Sequence, residues 1–71
     1  MKPEVRARAM YWAGMCYDAL REEMASYSIM KRVTYDFPES KWASFARSHL
    51  STDKYIVLEE DLEIKRVEEG R

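Results

Sequence analysis

Cysteine, histidine, glycine and proline are nearly absent from this 71-residue chain. Cys16 is the only cysteine, which excludes a disulfide within the chain. His49 is the only histidine, and the paired Cys and His spacings of a structural zinc site are missing. The glycines are Gly14 and Gly70 alone, and neither opens a helix after a strand, so there is no glycine-rich loop to cradle phosphates. With Pro3 and Pro38 as the only prolines, the chain has few breaks and no linker. No apolar run reaches the length of a signal peptide or a membrane span. A strong charge of one sign is missing too: 12 basic against 13 acidic residues leave a net charge of −1. That balance disfavours a sequence-independent grip on nucleic acid or an anionic membrane.

Apolar surface, by contrast, is plentiful. Hydrophobic residues make up 46% of the chain and aromatics 13%. A single domain this short has a poor surface-to-volume ratio and cannot easily hide so much in one core. Some of it is therefore expected in an interface, with a partner or with a second copy. A free thiol fits a reducing compartment, and the cytoplasm is the expected location.

The first element reads as a helix from about Pro3 to Tyr27. Val5, Ala9, Trp12, Cys16, Leu20, Met24 and Tyr27 step by three and four and so share one face, expected to be the buried one. Tyr11 and Met15 fall on the otherwise polar side, where an adjacent aromatic and methionine suit a protein contact. Gly14 within this helix suggests close approach of another backbone, such as that of a symmetry mate, and a homodimer through the first helix follows as an expectation.

Residues 29–37 read as a strand, because Ile29, Val33, Tyr35 and Phe37 alternate with Met30, Arg32, Thr34 and Asp36. Lys31 spoils one position, and extension of the first helix to about Arg32 is the competing assignment. Pro38 opens a second helix to Leu50, with Trp42, Phe45, Ala46, His49 and Leu50 on one face. Tyr55–Leu58 and Leu62–Ile64 read as two strands joined at Glu59, Glu60 and Asp61. On a helix, Leu58 and Leu62 would point one way and Ile64 and Val67 another. The predicted fold is thus α+β, in the order α-β-α-β-β: two helices packed on one face of a small, mainly antiparallel three-stranded sheet.

Candidates for chemistry are few. Cys16 and His49 could meet if the two helices pack together, but nothing supplies an orienting third group or an oxyanion hole. The cluster Glu59, Glu60 and Asp61 lacks the spacing and loop glycine of a calcium site, and reads instead as an acidic projection able to dock on a basic protein surface. No metal, cofactor, catalytic residue or membrane partner is expected. The sequence points to a non-enzymatic protein-interaction module acting as regulator, adaptor or inhibitor of a larger macromolecule, of the kind found among bacterial and phage accessory proteins. Its expected contacts are Tyr11, Met15, Glu59, Glu60 and Asp61. The alternative is a nucleic-acid-binding regulator using Lys41, Ser44, Arg47 and Ser48, two cations and two hydroxyls on the polar face of the second helix.

Overall fold

Every regular element is a helix. A computed structural model describes residues 2–70 and places four: α1 (Pro3–Ala19), α2 (Glu23–Asp36), α3 (Lys41–Leu50) and α4 (Asp53–Glu69). The α+β expectation is overturned, since none of the described residues forms a strand.

The long first helix is in fact two. Leu20 caps α1, Arg21 takes a left-handed conformation at φ 64°, and the chain turns back on itself. The N–H of Glu22 donates to the Tyr17 carbonyl at 2.8 Å, and that of Arg21 to the Asp18 carbonyl at 3.0 Å. These two bonds form a Schellman closure, which usually recruits glycine because a Cβ is disfavoured there. With arginine in that position, the sequence carries no visible stop signal.

The strand assigned to residues 29–37 is the body of α2. Ser26, Met30 and Val33 are fully buried at helical spacing. Lys31, awkward on a strand, takes a side position on the helix and reaches α4, where its Nζ lies 3.0 Å from Glu59 Oε1. Pro38 ends α2 rather than opening α3, because the residue before a proline is pushed out of the helical region. Ser40 then starts α3: its Oγ accepts the Ala43 N–H at 3.1 Å and donates to the Phe37 carbonyl at 2.8 Å.

The proposed terminal hairpin is one continuous helix. Tyr55, Leu58, Glu59 and Leu62 turn inward while Ile56, Val57, Ile64 and Val67 turn outward. The split apolar pattern that spoke against a helix is therefore real, and it means that α4 has two apolar faces. No glycine, proline or asparagine interrupts residues 53–69, so nothing breaks the helix.

The core sits between α1, α2 and α3. Met30, Val33, Ala43 and Ala46 form its centre, with Met10, Tyr11, Met15, Trp42 and Leu50 packed around them. Helix α2 is central and packs against both α1 and α3. Gly14 lies buried at the α1–α2 contact, facing Met30 of its own chain. Its smallness thus serves an internal contact, not the intermolecular one expected from sequence.

Candidate protein-interaction surfaces

Helix α1 buries the side opposite to the one its sequence pattern favours. Ala7 and Gly14 are buried, and Met10, Tyr11 and Met15 pack on the core. Tyr11 and Met15 are thus partly buried core neighbours rather than residues of a polar outer face. The Tyr11 ring also meets those of Trp12, Trp42 and Phe45, edge-on or tilted, at centroid distances of 5.4, 5.6 and 5.9 Å. The side chains left outside are the ones expected inside. Val5, Trp12 and Leu20 are 37%, 53% and 70% exposed, and Ala9 and Cys16 are exposed with them. The small Gly14 lets α1 approach Met30 of α2 closely, and the bulkier stripe is left facing solvent.

The acidic triad is divided by helical geometry, because successive residues point about 100° apart. Glu59 turns toward α2, where it pairs with Lys31 and accepts the Tyr27 hydroxyl at 3.2 Å. Its carboxyl is held below the usual glutamate range, first by the hydrogen bond from Lys31. Glu60 and Asp61 are exposed. They belong to an outer face that also carries Glu63, Glu68 and the apolar Ile56, Val57, Ile64 and Val67. From Glu63 onward every described residue of α4 is exposed.

On α3, Lys41, Ser44, Arg47 and Ser48 are all exposed. Arg47 stands toward the groove shared with Lys31, Thr34, Tyr35 and Glu59. A helix precedes α3, joined to it through the short turn Phe37–Ser40, which is a helix-turn-helix succession.

Cys16 and His49 are not brought together. Cys16 is exposed, and Asp18, two residues on, projects to the far side of α1. It is Asp18 that meets His49, with Nε2 at 3.8 Å from its Oδ1.

Asp18 is the site that sequence reasoning missed. Set among polar positions, it is half-buried and gathers three side chains from two other helices. Its Oδ1 accepts from Lys54 Nζ at 2.6 Å and from the Tyr55 hydroxyl at 2.5 Å. The Tyr55 ring lies 5.0 Å from that of His49. The hydrogen bond from Lys54, and next that from Tyr55, hold the Asp18 carboxyl below its ordinary value near 3.8. Burial, and then the hydrogen bond to Asp18, push the Tyr55 hydroxyl up. The cluster ties α1, α3 and α4 together.

The sign of the resulting pH dependence follows from the depressed carboxyls. A group whose pKa is lower in the folded state stabilises the fold above its unfolded value. That contribution is lost as the pH falls through the folded one. Asp18 and Glu59, with unfolded values near 3.8 and 4.5, are both of this kind. The thermal midpoint is therefore expected to hold steady from pH 7 to about 5 and to drop below about 4.5. Asp18→Asn should lower the plateau and flatten the acid limb. Circular-dichroism melts from pH 2 to 7 check this, and an unchanged acid limb in Asp18→Asn would mean that Asp18 is not the group responsible.

No group of three or more candidate ligands among the described residues is placed to hold a metal ion. No described helix is long and apolar enough to cross a membrane. No family model matches the chain, and comparison with curated proteins and with solved structures finds no relative.

Proposed function

We propose that this chain is a small, non-enzymatic protein-interaction module that regulates, adapts or inhibits a larger macromolecule by laying α4 into a groove of its partner. The outer face of α4 carries this proposal. Ile64 and Val67 are 56% and 61% exposed on a helix that already buries Tyr55 on its opposite side. Ile56 and Val57 extend the stripe, Glu60 lies within it, and Asp61, Glu63 and Glu68 border it without a base among them. A helix with apolar anchors at i, i+7 and i+10 (Val57, Ile64 and Val67) and an acidic margin fits a groove with an apolar floor and a basic rim. Completing the burial of such half-exposed side chains contributes roughly 1 kcal/mol each. That is enough to hold a regulatory contact and too little to make the complex permanent.

The test places a photo-crosslinking amino acid at Ile64 in the cells that make the protein. A discrete adduct is expected, mapping to an apolar groove lined by Lys and Arg. It should fall at least tenfold when Glu60 and Asp61 are changed to Lys with helicity unchanged. An adduct indifferent to charge reversal, or none at all, would remove the proposal. The competing role, nucleic-acid binding by α3, is supported by the α2–turn–α3 succession and by the outward Lys41, Ser44 and Ser48. It is opposed by the net charge of −1 and by Asp36 and Glu39 beside the start of that helix. Amide spectra titrated with mixed-sequence duplex DNA at low salt are expected to stay silent. Shifts at Lys41, Ser44, Arg47 and Ser48 that vanish as salt rises would favour nucleic acid instead.

A further inference from the structure

We infer that the outer face of α1 is a self-association surface, on which a second copy of the chain packs its own α1 in antiparallel orientation. This surface is separate from the outer face of α4, so the inference stands or falls apart from the function proposed above.

The face is continuous and apolar. Val5, Ala9, Trp12, Cys16 and Leu20 follow the four-three-four-four spacing of a helix-packing seam and point away from the chain's own core. At its side, Trp12 meets Trp42 at a centroid distance of 6.5 Å, and Trp42 meets the half-exposed Phe45 at 5.5 Å, so the patch continues onto α3. A soluble monomer gains nothing from placing such a stripe opposite the face it already buries.

Charge and side-chain size select the occupant and its direction. The start of α1 is basic, with Lys2, Arg6 and Arg8 against Glu4; the turn after its end is acidic, with Glu22 and Glu23 against Arg21, while Asp18 is taken up by Lys54 and Tyr55 on the inner side. An antiparallel copy sets each basic start beside an acidic end, and puts Glu4 level with Arg21 of the second copy. A parallel copy would set like against like. With the twofold axis between Trp12 and Ala13, Val5 faces Leu20 of the second copy and Ala9 faces Cys16 of the second copy. Trp12 faces Ala13 of the second copy, so that its large ring stands over a small residue, as a well-packed seam requires. In this register the two Cys16 residues stand about 10 Å apart along the axis, too far to bridge.

Sedimentation analysis of the wild-type chain from micromolar to millimolar concentration tests the association. The mass is expected to rise toward twice that of the monomer. Ala9→Glu, which alters only an exposed position, and Trp12→Ala should each raise the dissociation constant at least tenfold while helicity is kept. A wild-type mass that stays monomeric throughout, or an association indifferent to Ala9→Glu, would overturn the inference. Orientation is read by oxidation. Ala9→Cys, opposite Cys16 of the second copy, should give a covalent dimer under mild oxidant, and the wild-type chain should not. A wild-type disulfide dimer through Cys16, with no gain from Ala9→Cys, would overturn the antiparallel register.

Discussion

Tyr55→Ala is expected to cost the fold about 3–5 kcal/mol, a third or more of its stability. Tyr55 is the largest fully buried side chain, and it holds the start of α4 to the rest of the fold. Its hydroxyl donates to Asp18, its ring lies against His49, and Lys54 Nζ stands 5.0 Å from the ring centroid. Truncating a buried aromatic to alanine costs about 3–5 kcal/mol. A domain of this length has roughly 4–10 kcal/mol of stability in total, so the loss takes about a third of it or more. The variant also strips Asp18 of one of its two hydrogen-bond donors and opens the side of His49 that faces α4. Tyr55→Phe keeps the ring and loses only the bond to a charged acceptor, for which about 1.5–3 kcal/mol is expected. Urea denaturation followed by circular dichroism at 222 nm ranks the two. A loss below about 1 kcal/mol for Tyr55→Ala would mean that α4 is held by other contacts.

The same cluster shows what was legible in the sequence and what was not. The helical character of α1 and α3 was readable, because Pro3 and the three-four spacing mark the first and the apolar face of Trp42, Ala46 and Leu50 marks the second. The break after Ala19 was not, because the left-handed residue of the turn is Arg21 rather than a glycine. Alternation in residues 29–37 misled because Ile29 and Val33 satisfy a helical spacing as well as a strand one, and β-branched residues tilted the choice toward a strand. Tertiary packing against α1 and α3 overrode that propensity.

The deeper difficulty is that α1 and α4 are each apolar on two sides. Amphipathic reasoning assigns the broader apolar stripe to the core, and here the core took the other one. In α1 the buried positions Ala7 and Gly14 add little to any hydrophobic pattern, and the smallness of Gly14 lets the helix come close to Met30 of α2. The bulkier Val5, Trp12 and Leu20 were left to solvent. Tyr11 and Met15 were singled out for breaking the pattern, and they break it because they belong to the true inner side. The acidic triad was recognised as a recognition feature on the wrong backbone. On a helix, Glu59 is spent on Lys31 and only Glu60 and Asp61 remain available to a partner. Doubly apolar helices in so small a chain join the fold to the function proposed for it, since the second face of each is left largely exposed among the described residues.

Gly14→Leu is expected to destabilise the fold by about 3 kcal/mol, through overpacking at the α1–α2 contact. A Cβ on Gly14 would come within 2.9 Å of Met30 Cε, 3.3 Å of its Sδ and 3.4 Å of its Cγ. The nearest atom is the free end of a flexible thioether, so Gly14→Ala can be absorbed by a small shift of Met30. Its strain is offset by the gain of about 1 kcal/mol in helix propensity, and little net change is expected. A leucine branch cannot be absorbed in this way, because Met30 is fully buried against Val33, Ala43 and Ala46 and has nowhere to move. Met30→Ala alone should cost about 2–5 kcal/mol by leaving a cavity. Combined with Gly14→Leu, it opens the space that the leucine needs. The double variant should then be more stable than the sum of the single losses predicts, by about 1–3 kcal/mol. Denaturant titration of the four chains in this cycle measures that coupling. Strict additivity would mean that Gly14 and Met30 do not touch. A Gly14→Leu chain that kept its stability but lost its self-association would move this glycine from the α1–α2 contact to the interface between copies.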